Sequence, residues 1–394
     1  MGHSACVFLN REWLLPVNHG FAGGGGRKNR ELYAAHFGPL KNHVALFIFG
    51  DSLFDAGNNN YINTTFKANY KPYGETFFHY PTGRSSDGRL IPDFTAEYAK
   101  LPLIPPYLQP GIDHQLTNGV NFASSGAGAL VETRQGLVID LQTQLGYFEN
   151  VSRQLRKKLG DAEAESLLSR AVYLFSVGGN DYLFPFEINS TVLRSYSPEQ
   201  FVGLVTGNIT AVVKAIYKTG GRKFGFLNML PLSRTPYAKA LLGGGQCFEQ
   251  ITPYVKLHNQ ELPKRLQKLE SELKGFKYSL LPFYSFLEQR INHPSKYGII
   301  YNQLIFLSLV SKKQKQHVVA VDRSEVFSAA AEKEVWKSII YVRMLVNMSS
   351  LTLFISLKGL TSNLPNHRGM ENPLSLAPTT SKLYLNLIKK ILYY

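Results

Sequence analysis

Three short, densely apolar runs, each cut off by a polar or glycine-rich turn, narrow what this chain can fold into. Val44-Ala-Leu-Phe-Ile-Phe49 halts at Gly50-Asp51-Ser52; Ala171-Val-Tyr-Leu-Phe-Ser-Val177 halts at Gly178-Gly179-Asn180-Asp181; the third is Lys223-Phe-Gly-Phe-Leu-Asn228. Runs this short, rich in aromatic and β-branched residues, fit strands buried on both faces, and such strands occur in parallel sheets covered by helices. Helical text lies between and after them. Ser197 caps, Pro198 suits the first turn, Gln200 closes a capping box, and Phe201, Leu204, Val205, Ile209, Val212, Val213 and Ile216 recur at three and four until Gly220-Gly221. A second helix spans roughly 252–273, with Val255, Leu262, Leu266, Leu269 and Leu273 on one stripe and a kink expected at Pro263. Strand and helix in alternation predict an α/β domain with a mostly parallel sheet.

Composition excludes several classes of function. The chain has 394 residues, 44% hydrophobic and 18% charged, which rules out wholesale disorder. The least interrupted apolar stretch, 344–357, contains Asn347 and three serines, so no transmembrane anchor is expected. Cys6 and Cys247 are too few for a disulfide framework or a thiolate metal site. The net charge of +15 is uneven: residues 299–394 hold 12 basic and 5 acidic side chains, with no interleaved aromatic and arginine stripe. Nucleic acid is not an expected partner.

The chemistry-bearing text begins at Phe49-Gly50-Asp51-Ser52-Leu53-Phe54-Asp55-Ala56-Gly57-Asn58-Asn59-Asn60, where a serine stands at the carboxyl end of the first strand. Ligands collect at that edge of an open α/β sheet, and a serine opening a helix has backbone N–H groups near its oxygen. In isolation this serine reads as a helix cap. Three further blocks accompany it: Thr82-Gly83-Arg84-Ser85-Ser86-Asp87-Gly88-Arg89-Leu90-Ile91-Pro92-Asp93-Phe94, then Gly119-Val120-Asn121-Phe122-Ala123-Ser124-Ser125-Gly126-Ala127-Gly128, then Val177-Gly178-Gly179-Asn180-Asp181. In this order and spacing they closely resemble the plant GDSL-type esterase/lipase family of the SGNH hydrolase superfamily. The resemblance spans about residues 44–298 and includes Gly221-Arg222-Lys223-Phe224, Leu257-His258-Asn259 and Asn292-His293-Pro294-Ser295-Lys296-Tyr297-Gly298.

The resemblance implies a three-layer, flavodoxin-like fold and hydrolysis of acyl esters or lipids without metal or cofactor. It makes Ser52 the nucleophile. The Ser52 N–H, the Gly126 N–H and the Asn180 side-chain amide become the oxyanion donors, which suits the two or three preorganised donors that a tetrahedral acyl intermediate needs. Relatives commonly carry Ala-Ser-Gly-Gly-Ala-Gly where this chain has Ala123-Ser124-Ser125-Gly126-Ala127-Gly128, so Ser125 departs from the pattern.

A serine needs a base, normally a histidine oriented by a carboxylate. The family draws both from an Asp-x-x-His-Pro segment near the C-terminus. None of the ten histidines here (3, 19, 36, 43, 79, 114, 258, 293, 317 and 367) has Asp three residues before it. No substitute base is assigned: His258 reads as a surface or packing residue on a helix, His293 as part of a turn and His79 as part of a loop. The family's later cysteines, partners for Cys247, are missing as well.

The domain is therefore expected at 44–298 and incomplete at its C-terminal end. Residues 1–43 read as a disordered or atypical extension and 299–394 as a divergent basic tail, the pattern of a read-through or wrongly joined coding segment. Sequons at Asn63, Asn150, Asn189 and Asn208 lean towards the secretory pathway, yet Asn10, Arg11 and Glu12 interrupt the sole candidate leader. The expected function is carboxylic ester hydrolysis through Ser52. The alternative is an impaired hydrolase fold acting as a non-hydrolytic binding or modifying partner.

Overall fold

The computed structural model describes residues 44–293, Pro72 excepted. The expectations for 1–43 and 299–394 fall outside the described residues. The three apolar runs form strands β1 (Leu46–Gly50), β2 (Val172–Ser176) and β3 (Lys223–Leu227), and a fourth, β4, is Lys277–Leu281. All pair in parallel in the order β1-β2-β3-β4. Beyond β1 the segment around Asn121 continues the ladder, because Ile48 N–H donates to Val120 O at 3.0 Å and Phe122 N–H to Ile48 O at 2.7 Å.

The helices are α1 (Ile91–Tyr98), α2 (Leu141–Leu159), α3 (Asp161–Arg170), α4 (Gly179–Glu187), α5 (Val192–Ser195), α6 (Pro198–Thr219), α7 (Pro236–Leu241), α8 (Thr252–Glu272) and α9 (Phe283–Asn292). Ser197 and Gln200 close the expected capping box on α6: Gln200 N–H donates to Ser197 Oγ, and Ser197 N–H to Gln200 Oε1. Gly220 ends the helix at φ 127°. Pro263 lies inside α8 without ending it.

Two-residue alternation along the strands sorts the core into two layers. Phe47, Tyr173, Phe224 and Phe276 stack in one row across the sheet, with successive ring centroids 5.4, 5.2 and 4.8 Å apart. Phe49, Phe175 and Phe226 form a second row at 4.9 and 5.2 Å. Both rows pack against apolar residues of α2, α3, α6 and α8. On the opposite face Leu46, Ile48, Val172 and Leu174 meet Phe54, Ala96 and Ile104, while Leu281 packs with Phe283 and Leu287 of α9. Helices on both faces of a parallel sheet make the three-layer α/β fold that was expected. Helix α6 is long and apolar enough to cross a membrane, but half of that stretch is buried on this core.

Candidate active site

Strand β1 ends in a geometry that admits only glycine at position 50. Gly50 has φ 151°, and a Cβ there would lie 2.3 Å from the backbone oxygen of Ser176 on β2. Buried Gln144 of α2 brackets the same residue, its Oε1 accepting from Gly50 N–H and its Nε2 donating to Gly50 O, both at 2.9 Å. Asp51 N–H then donates to Ser176 O at 3.0 Å. Ser52 thus stands two residues past the strand end, 7% exposed. The helix expected directly after it is replaced by a turn. Phe54 and Asp55 N–H groups close onto Asp51 O, and the Asp55 carboxylate then takes the N–H groups of Gly57 and Asn58 at 2.7 and 2.8 Å, while Gly57 turns away at φ 125°. These bonds satisfy backbone donors that a helix would have needed.

The same polar residues tie this turn to the block containing Gly126. Asp55 accepts a further bond from Ser125 N–H at 2.8 Å, Asn58 Nδ2 donates to Asn121 O and Ala123 O at 2.9 and 2.8 Å, and Asn59 Nδ2 donates to Ser125 O at 2.9 Å. Ser124 N–H donates to Gly50 O at 3.0 Å, so the block lies against the end of β1. Gly126 has φ 88°, and a Cβ there would press within 3.0 Å of Val138 and 3.2 Å of the Phe66 ring. The departure at Ser125 is absorbed without strain. Its φ is not positive, and its hydroxyl is paired with Ser85 Oγ at 2.9 Å.

Asn180 is the second residue of α4, entered through Gly178 at φ 116°. Its Nδ2 donates to Ala127 O at 2.8 Å, and its Oδ1 accepts from Arg134 Nη1 at 2.8 Å. The fully buried Asp181 beside it accepts from Ala129 N–H, Leu130 N–H and Thr133 Oγ1 at 2.8, 3.0 and 2.6 Å, with burial pushing its carboxyl above the usual range. Arg134 Nη1 also reaches Gly126 O at 3.1 Å, so Gly126 and Asn180 share a neighbour. Gly50 pairs with Ser176 across β1 and β2, and Ser52 and Asn180 follow those strand ends at the same sheet edge.

The remaining block, 82–94, serves as a clamp. Arg84 makes two 2.9 Å bonds to the Asp93 carboxylate, both side chains buried, and its Nη1 reaches Ala56 O at 3.3 Å, bracing the loop after Ser52.

The described histidines are engaged away from any carboxylate. His258 is not a surface residue: it is buried on α8, its Nδ1 lies 2.8 Å from the Tyr182 hydroxyl, and burial lowers its pKa to about 4. The packing reading is the one that holds. His79 Nδ1 bonds Glu75 O, His114 Nε2 meets Gln115, and exposed His293 follows α9. Among the described residues no cluster of His, Cys, Asp and Glu could hold a metal ion. Cys247 is a free, exposed thiol.

The family model of GDSL-like lipase/acylhydrolases matches residues 46–298. The chain belongs to the GDSL-like lipase/acylhydrolase family. Among curated proteins it is 54% identical over 265 residues to GDSL esterase/lipase 2 of Arabidopsis thaliana, covering 66% of this chain and 70% of that one. It is 51% identical over 257 residues to a GDSL lipase of Tanacetum cinerariifolium, covering 65% and 68%. GDSL esterase/lipase 6 of Arabidopsis thaliana is 32% identical over 267 residues, covering 64% and 70%. These relatives carry esterase or lipase names, which lends no support to the alternative of a non-hydrolytic partner. Within the family frame, Asp55, Asn58, Asn59 and Asp181 are struts that a reading for nucleophile and donors passed over. All four lie inside the recognised blocks, within two residues of a glycine. Arg134 lay outside them.

Proposed function

We propose that this chain hydrolyses carboxylic esters of acyl or lipid type, with Ser52 as nucleophile and the Ser52 N–H, the Gly126 N–H and the Asn180 side chain as oxyanion donors. The observation that carries the reading is the Asn180 amide. Its oxygen is spent on Arg134 and one Nδ2 hydrogen on Ala127 O, and the second Nδ2 hydrogen has no acceptor among the described residues. An N–H held in one orientation at the carboxyl edge of the sheet, the edge at which Ser52 follows the end of β1, suits an oxygen that becomes negative only as the reaction proceeds.

In the acylation step the Ser52 oxygen bonds to the ester carbonyl carbon as its proton passes to solvent, and the carbonyl oxygen takes the negative charge. Collapse breaks the C–O bond to the alkoxide, which departs as alcohol on taking a proton from solvent and leaves acyl-Ser52. Water then releases the acid. The described histidines bond no carboxylate, and the 394 residues contain no Asp-x-x-His segment. Among the described residues, no histidine bonded to a carboxylate is available to take the Ser52 proton. Loss of a triad member in serine hydrolases leaves roughly 10³- to 10⁴-fold acceleration over water. Hydrolysis of a p-nitrophenyl ester series by the full chain, beside Ser52→Ala and a chimera carrying a relative's C-terminal segment after Gly298, tests the reading. Slow Ser52-dependent turnover, raised by several powers of ten in the chimera, is expected. A rate unchanged by Ser52→Ala in both backgrounds would end it.

We also propose an extracellular or secretory-pathway location. Asn63, Asn189 and Asn208 are exposed sequon residues, whereas Asn150 is half-buried on α2 and donates to the Tyr107 hydroxyl at 2.9 Å. Expression in a secretory host should add glycan, removable by endoglycosidase, at the first three sites in preference to Asn150.

A further inference from the structure

Arg134 lies outside every recognised block, yet it touches both proposed oxyanion elements. It is 4% exposed and sits at φ 52°, a left-handed backbone that a bulky residue rarely adopts without surroundings that enforce it. Its Nη1 donates to Gly126 O and to Asn180 Oδ1. Its Nη2 donates to both Glu187 carboxylate oxygens, at 2.7 and 2.6 Å, and lies 3.3 Å from the Tyr237 hydroxyl. Tyr237 in turn donates to Glu187 Oε1 at 2.7 Å, and the guanidinium lies over the Phe66 and Phe184 rings at 4.9 and 5.5 Å. The guanidinium is thus fixed from four sides.

A side-chain amide has nearly the same shape with its oxygen and nitrogen exchanged, so its neighbours decide which way it points. A guanidinium only donates and a backbone carbonyl only accepts. Arg134 on one side and Ala127 O on the other therefore permit a single orientation of Asn180; the flipped amide would set donor against donor and acceptor against acceptor. The same Nη1 holds the Gly126 carbonyl and so fixes the backbone just after the second donor.

We propose that Arg134 is a positioning residue of the oxyanion hole, with Glu187 and Tyr237 holding the guanidinium that sets the Asn180 amide and the Gly126 peptide. The inference rests on the hydrolase reading above. Arginine is required rather than lysine, because one planar group must serve two acceptors on one side and a carboxylate on the other.

The test uses the full chain and butylboronic acid. Boron bonds to Ser52 Oγ, the serine proton passes to solvent, and the tetrahedral boronate carries the negative charge of the acyl intermediate. Arg134→Met is made together with Glu187→Gln, so that no unpaired carboxylate remains buried, and Arg134→Lys is made alone. The Asn180 side-chain ¹⁵N–¹H signals, assigned by their loss in Asn180→Asp, report the amide directly, and far-ultraviolet circular dichroism and the melting midpoint report the fold. The expected result is folded variants with shifted or broadened Asn180 signals and boronate affinity lowered about 10- to 100-fold, short of the roughly 10²- to 10³-fold that loss of an oxyanion donor costs in rate. Arg134→Lys should recover only part of that loss. Unchanged Asn180 signals in the folded double variant would overturn the proposal, and so would changed signals with unchanged boronate affinity. Boronate that binds Ser52→Ala as well as the parent would instead overturn the hydrolase reading, while the Asn180 signals still decide whether Arg134 sets the amide.

Discussion

Replacing Asp55 by Asn alters one buried carboxylate that joins the Ser52 turn to Ser125, and the structure fixes how the cost should vary with pH. The carboxylate accepts three backbone N–H bonds, from Gly57, Asn58 and Ser125. In the variant one oxygen can still serve Gly57 and Asn58, but the amide nitrogen then faces the Ser125 N–H. Loss of that charge-assisted bond and the stranded donor cost about 2–4 kcal/mol. Against this, burial raises the Asp55 pKa from 3.8 to about 6, outweighing the three N–H bonds that lower it. A folded-state value above the unfolded one means that the folded chain holds the proton more tightly. The stabilisation is complete below pH 3.8 and is lost as pH rises through about 6. A rise of about 2 units at 1.36 kcal/mol each amounts to about 3 kcal/mol. Asparagine does not titrate. The advantage of the parent over Asp55→Asn should therefore be about 2 kcal/mol greater at pH 4 than at pH 8, read from urea unfolding of both proteins at each pH. A difference that is flat, or larger at pH 8, would show that the N–H bonds outweigh burial and would refute the reasoning.

Two other perturbations have effects set by close geometry. Gly50→Ala places a methyl 2.3 Å from Ser176 O at a positive φ, so β1 and β2 must separate; a loss of about 3 kcal/mol or more is expected in chemical denaturation, and a loss under 1 kcal/mol would contradict the register. His258, with its pKa lowered from 6.5 to about 4 by burial, stabilises the fold above pH 6.5 and gives that up as pH falls through 4; His258→Gln should remove about 3 kcal/mol of acid-side loss from the stability profile, and an unchanged profile would place His258 in contact with water.

Strands β1, β2 and β3 were legible because strands covered on both faces are written as unbroken apolar runs, and the turn residues after them are conspicuous. Strand β4 was not. Its sequence Lys-Tyr-Ser-Leu-Leu is mostly half-exposed at the sheet margin and carries no such run. Helix α6 was legible down to its capping box, whereas α2 passed unnoticed although Leu141, Leu145, Phe148, Val151 and Leu155 recur at helical spacing behind the Asp140 cap. In the site, Ser52, Gly126 and Asn180 stood in blocks whose order and spacing carried a resemblance. The struts needed three dimensions to be understood, since a buried aspartate in a glycine-rich block reads equally well as a solvated turn residue. Arg134 had no local signal at all: its partners lie 8, 46, 53 and 103 positions away, and nothing in its neighbours foretells a buried cation.

The account turns on Ser52 as the reacting atom, and mass spectrometry of the chain after exposure to an alkyl fluorophosphonate tests this most directly. The reagent exchanges fluoride for the serine oxygen and leaves a stable phosphonyl ester. Cleavage after Lys41 and Lys67 isolates a peptide in which Ser52 is the only serine. The account predicts a single adduct on this peptide at Ser52, absent from Ser52→Ala and formed more slowly in Asn180→Ala. An unmodified Ser52 with adducts elsewhere, or labelling at a rate indifferent to Asn180, would contradict it.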